Sequence, residues 1–156
     1  MKIRSWSFWK TSALGLFLIS APLPAQINNV LRITPPEKIA GKVNETVTAD
    51  FSVSLREGYH TNSNKPNDEF LIPLRLTWED GSAAKAGDVT FPKPQTERFA
   101  FSQNPVSVFT GDFKLQTKFK ILSTGVVNGK LRYQACSDKA CLPPRTLDVK
   151  LQVEAH

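Results

Sequence analysis

Cys136 and Cys141 are the only cysteines in this chain of 156 residues, and they sit in the stretch YQACSDKACLPP, residues 133–144. Four residues, SDKA, separate them. A bend across so short a spacer can bring two Cα atoms within the roughly 4.4–6.8 Å that a disulfide spans. Pro143 and Pro144 follow at once. Their fixed φ angles and missing amide donors stiffen the backbone behind Cys141. Such a pair can be a staple, a dithiol that exchanges electrons with other proteins, or part of a metal site. Closing a loop of about six residues removes only about 2 kcal/mol of chain entropy, so a staple here would be a modest one. A loop position also offers the access that redox thiols need. Lys139 and Arg145 favour a thiolate electrostatically, whereas Asp138 opposes it. A closed zinc site takes four ligands. The two histidines, His60 and His156, have no ligand spacing to the cysteines and read as surface residues, so no metal is expected. On the residues alone, staple and exchanging dithiol both stay open.

Which of the two applies depends on the compartment. Residues 1–25 begin with Lys2, Arg4 and Lys10 and no acidic residue, continue through the apolar run TSALGLFLIS, and end in APLPA. That is the order of a secretory signal peptide. Cleavage is expected after Ala25, leaving one soluble domain over 26–156. The apolar run is short for a bilayer span, and no cysteine lies near the cleavage point to carry a lipid. Outside the cytosol, disulfides form and persist. Loss of the three basic residues lowers the formal net charge from +6 to +3, seventeen basic residues against fourteen acidic. The remaining charges are interspersed, without a basic stripe, so nucleic acid is not an expected partner. The mature length is enough for one domain with a real core and does not require a disulfide to fold.

The elements that must position the cysteines follow a period of two. TVTADFSVSL places Val47, Ala49, Phe51, Val53 and Leu55 on one side, and LIPLRLTW does the same with Ile72, Leu74, Leu76 and Trp78. FKLQTKFKI repeats the pattern with Phe113, Leu115, Thr117, Phe119 and Ile121. LRYQA and TLDVKLQVE close the series through Leu131, Tyr133 and Ala135, then Leu147, Val149, Leu151 and Val153. Strict alternation is the mark of a half-buried strand. EGY at 57–59, EDGS at 79–82 and Asn128–Gly129 read as turns. No helical stretch stands out. The chain is therefore expected to be an all-β antiparallel sandwich, with Phe51, Trp78, Phe119 and Tyr133 filling its core. Two segments break the alternation: HTNSNKPNDE, 60–69, reads as a polar loop, and FPKPQTERFAFSQNP, 91–105, as a long Pro-bounded one. The second carries Phe99 and Phe101, which in a loop either anchor it or cover something. No Ser/His/Asp arrangement or phosphate loop supports a hydrolase. A non-catalytic sandwich that binds a protein and keeps its disulfide as a staple is the alternative to exchange.

The stretch KLRYQACSDKACLPPRTLDVKL resembles the active-site hairpin of the N-terminal periplasmic domain of the thiol:disulfide interchange protein DsbD. The pattern is a strand ending in Tyr-Gln-small-Cys, a short loop, then Cys-apolar-Pro-Pro and another strand. EGYH, FPKP and VFTGDF extend the likeness more loosely over residues from about 30 to 154. The resemblance implies an immunoglobulin-like sandwich in the periplasm that passes reducing equivalents through one cysteine pair, with no cofactor beyond that redox-active disulfide. Cys141 would form the mixed disulfide with a partner and Cys136 would resolve it. Tyr133, Asp138 and Pro143 would lie near the pair. TERFAF falls where the family has a shielding loop, making Phe99 or Phe101 the cap, with Glu97 beside it. The implied partners are thioredoxin-like or disulfide-isomerase-like periplasmic proteins, and the implied process includes cytochrome c biogenesis. Full-length family members continue into membrane and thioredoxin-like domains, while this sequence closes at His156. A separate membrane electron donor is therefore expected. The best-known members also have one more residue between the cysteines.

Overall fold

The three longest strands carry the cleanest alternation. In the computed structural model, which describes residues 30–100 and 102–156, β3 (Thr46–Leu55), β9 (Asp112–Ile121) and β12 (Arg145–Ala155) bury every second side chain. The expected signal peptide at 1–25 and Phe101 lie outside the described residues. The remaining strands are β1 (Leu31–Thr34), β2 (Ile39–Gly41), β4 (His60–Asn62), β5 (Arg75–Trp78) and β6 (Ala84–Thr90). They continue with β7 (Gln95–Glu97), β8 (Val106–Thr110), β10 (Gly125–Tyr133) and β11 (Ala135–Cys136). There is no helix among the described residues.

Two four-stranded sheets, in the orders β1-β3-β9-β6 and β2-β12-β10-β5, form the immunoglobulin-like β-sandwich. Phe51, Leu115, Phe119 and Ile121 from the first meet Leu76, Val127, Leu131 and Leu151 from the second in one apolar core. Each is shielded almost completely from water. Removing apolar surface from water is the main force holding the layers together. Trp78 is only half-buried, but its ring lies 5.0 Å from those of both Phe51 and Phe119. Its indole N–H donates to Thr117 Oγ1 at 3.2 Å, which satisfies the one polar side chain in the inward row of β9.

The structure corrects several expectations. β2 runs parallel to β12, so the sandwich is not wholly antiparallel. Asn128–Gly129 is not a turn: both residues lie inside β10, and Gly129 pairs with Trp78. A Cβ at Gly129 would stand 2.6 Å from Trp78 Cε3, so the glycine answers a close approach between strands. The segments read as loops at 60–69 and 91–105 contribute β4 and β7 to a third sheet, ordered β11-β4-β8-β7. His60, expected at the surface, is only 4% exposed.

Candidate functional site

The cysteine hairpin is built by its backbone. Leu142 N–H donates to Ala135 O at 2.8 Å, and Ser137 N–H donates to Ala140 O at 2.9 Å. Between those two bonds Cys136 and Cys141 face each other as an antiparallel bridge that exchanges no hydrogen bond of its own. That is the ladder position where opposed Cα atoms come closest, about 4.5 Å. The sulfurs are joined in a disulfide of 2.04 Å, with the Cα atoms 3.9 Å apart, closer than the window of roughly 4.4–6.8 Å expected from the spacing. Ser137 sets the turn between them: its Oγ accepts from the Lys139 and Ala140 amides, both at 3.2 Å. Gln134 Nε2 donates to Leu142 O at 3.1 Å and closes the base. The two cysteines differ in access. Cys136 is 1% exposed, whereas Cys141, after the turn, is open to solvent.

β11 attaches this hairpin to the third sheet. Cys136 pairs with His60, and His60 pairs with Thr110. Directly opposed side chains share a face of a sheet and neighbours alternate. Ala135 and Phe109, one position along, turn into the sandwich core. Cys136, His60 and Thr110 therefore occupy the other face, away from that core. There the ring of Phe99 stacks on that of His60, centroids 4.1 Å apart and planes 17° apart. Burial lowers the His60 pKa from its ordinary value. A surface groove of about 580 Å³ runs along this face, lined by His60 and Phe99 together with Glu97, Asp138, Tyr59 and Gly111. Two tight turns shape it, at Gly58 and Gly111, with φ of 79° and 58°. Those left-handed values are ones glycine adopts without strain.

The expected site residues thus divide. Phe99, Glu97 and Asp138 line one groove beside the residue paired with Cys136. Tyr133 is buried behind the hairpin at the end of β10, and Pro143 lines a small void with it, Ala135 and Leu142. Burial raises the Tyr133 pKa, opposed by the nearby Arg145. His60 and Ser137 are site residues that sequence reasoning missed. Ser137 was legible in principle, since a serine opening a four-residue spacer is a turn former. A lone histidine ahead of a polar run gives no such signal. Among the described residues no group of three or more His, Cys, Asp or Glu is placed to hold a metal.

The family model described as "Thiol:disulfide interchange protein DsbD, N-terminal" matches residues 32–153. Among solved structures, the chain is similar to the N-terminal periplasmic domain of ScsB from Proteus mirabilis, with 17% identity and a TM-score of 0.56. That likeness covers 78% of this chain and 44% of the other, so the chain spans less than half of that ScsB domain. The reduced N-terminal domain of Neisseria meningitidis DsbD gives 16% identity, TM-score 0.46 and coverage of 67% and 75%. The DsbD N-terminal domain in its complex with the PilB N-terminal domain, also from Neisseria meningitidis, gives 15%, 0.43, and 77% and 80%. No curated protein matches. No helix among the described residues is long and apolar enough to cross a membrane.

Proposed function

The chain belongs to the family of the N-terminal domain of the thiol:disulfide interchange protein DsbD, and from that premise we propose that it is a periplasmic thiol:disulfide exchange protein. It passes reducing equivalents through Cys136 and Cys141 to other exported thiol proteins. The observation that carries this reading is the unequal access of the two cysteines, one buried and one open. In the reduced form, the Cys141 thiolate attacks a partner's disulfide, forming a mixed disulfide and releasing one partner thiolate. The Cys136 thiolate then attacks Cys141 Sγ and releases the second. One dithiol becomes a disulfide, one disulfide becomes a dithiol, and two electrons cross. Both released thiolates take up the protons given up by the attacking cysteines.

Phe99, seated on His60, caps this site with Glu97 beside it, and Asp138 at the turn marks the mouth of the shared groove. Shielding suits a dithiol that must stay reduced in an oxidising compartment until a partner arrives. The fitting partners are thioredoxin-like or disulfide-isomerase-like proteins, and a separate membrane protein supplies the electrons.

The test is the reduction potential of the pair, from equilibration against glutathione buffers followed by thiol alkylation and mass readout. A value of roughly −120 to −270 mV is expected for an exchanging pair. A value below about −300 mV, with thiols that react only after denaturation, would mean a staple in a protein-binding module. Alongside it, Cys136→Ser should accumulate mixed disulfides through Cys141, and Cys141→Ser should accumulate far fewer.

A further inference from the structure

Phe70 is 85% exposed, the most open large apolar side chain among the described residues. Leaving a phenylalanine in water forgoes about 1.5–3 kcal/mol of burial. Yet the loop that carries it, residues 63–74, is held firmly. Phe70 N–H donates to Asp68 Oδ1 at 2.9 Å, and Leu71 N–H donates to Asp68 O at 3.2 Å. Asn62 Nδ2 donates to Ile72 O at 3.0 Å, and Leu74 N–H donates to Ser63 O at 3.2 Å. Leu71 and Ile72 are half-buried and Leu74 is buried. The loop therefore turns its aliphatic side chains down and its aromatic one out.

Its anchors place it on the redox face. Asn62 stands two positions from His60 on β4, hence on the same side of the sheet as His60 and Cys136, about 7 Å along the strand. Asn67 Nδ2 donates to Pro105 O at 3.2 Å, tying the loop to the end of the 98–105 segment that carries Phe99. Cys136 and the His60–Phe99 stack lie on this face, and the loop that carries Phe70 is anchored to it. A protein interface of ordinary size covers about 800 Å² on each partner, some 30 Å across. A partner of that size seated over His60 also covers Asn62, the anchor of the loop that carries Phe70.

We propose that Phe70 is a docking prong for the thioredoxin-like partner, entering an apolar depression beside that protein's own redox cysteines while Cys141 meets them. This rests on the exchange reading above and adds a contact outside the cysteine pair. A large apolar side chain on a hydrogen-bonded loop at the edge of a reactive site suits this task, because the backbone that carries it is already ordered before binding. Buried aromatics are also the residues that dominate interface energies.

The experiment uses the oxidised protein, expressed from its full sequence, and reduced thioredoxin as the probe. Thioredoxin's dithiol becomes a disulfide as Cys136–Cys141 becomes a dithiol. The second-order rate is measured for wild type, Phe70→Ala and Phe70→Trp, and again with dithiothreitol in place of thioredoxin. Phe70→Ala is expected to slow the thioredoxin reaction about 10- to 100-fold, the range of a binding hot spot, and to leave the dithiothreitol rate unchanged. Phe70→Trp should restore most of the loss. A thioredoxin rate within twofold of wild type would overturn the prong. So would an equal loss with both reductants, which would place Phe70 in the chemistry of the site. A wild-type protein that reacts with dithiothreitol but not thioredoxin would overturn the partner class while sparing the exchange reading. Inertness toward both would sink the two together. Self-association abolished by Phe70→Ala would reassign the prong to a second copy of this chain.

Discussion

His60 links the strand that bears Cys136 to the Phe99 ring, and burial shifts its titration. It pairs with Cys136, carries the Phe99 ring, and is shut away from water. Burial disfavours the charged imidazolium and lowers its pKa from the ordinary value near 6.5. The unfolded chain therefore binds a proton at a pH where the folded chain does not, so stability rises with pH through that window. The contribution is complete above about pH 7 and is lost as pH falls through the ordinary value toward the lowered one. Urea midpoints should drop between pH 7.5 and pH 5.0 in the wild type, and drop less in His60→Phe, which keeps a ring under Phe99 without the titration. Equal drops in both proteins would remove His60 from the account. The cysteines stood out in the sequence because only two are present and their spacing is tight, and Phe99 because it is a large apolar residue in a segment without strand alternation. His60 did not, because a buried histidine and a surface one look the same until the register of β4 and β11 is known.

At the scale of elements, alternation located β3, β5, β9, β12 and the end of β10, but not β1, β2 or β6, and it gave little of the sheet that bears the cysteines. β4, β7 and β11 hold three, three and two residues, too few to express a period. β4 is also buried throughout, with Phe99 stacked on His60 and Asn62 bonded to the Ile72 carbonyl of the 63–74 loop. Its residues, His60, Thr61 and Asn62, are all polar, so no apolar row marks them as a strand. Asn128–Gly129 failed for the opposite reason: a strong local turn signal was overridden by packing between strands. A Cβ on Gly129 would meet Trp78 Cζ3 at 2.7 Å and Thr77 O at 2.9 Å. The backbone oxygen cannot swing aside, so β5 and β10 must separate. Gly129→Ala is expected to cost about 1–3 kcal/mol, the usual penalty of overpacking. A lowered urea midpoint and an altered near-ultraviolet Trp signal would register it. Retained midpoint and signal would mean that the pair relaxes freely.

For the whole molecule, the question is what the disulfide does for the fold, because an exchange protein must stay folded in both redox states. The contiguous core joins Leu31, Phe51, Phe119, Leu131, Tyr133 and Leu151 across the two main sheets, and neither cysteine belongs to it. Cys136 is buried on the far side of the third sheet, and its bond to Cys141 closes a loop with a sequence separation of only 5. Short loops gain little from cross-linking, about 2 kcal/mol here. The hairpin also keeps its four backbone positions through the Ala135–Leu142 and Ser137–Ala140 hydrogen bonds and the Ser137 turn, none of which involves sulfur. A sandwich with this core is thus expected to survive loss of the bond. Melting with and without reductant should show cooperative transitions in both cases, the reduced form lower by no more than about 12 °C. Cys136→Ala/Cys141→Ala, which cannot re-form the bond, should melt near the reduced form. Unfolding on reduction at 25 °C would reverse the conclusion: the bond would then be a staple the fold depends on, and the unequal access of the two cysteines would have no catalytic meaning.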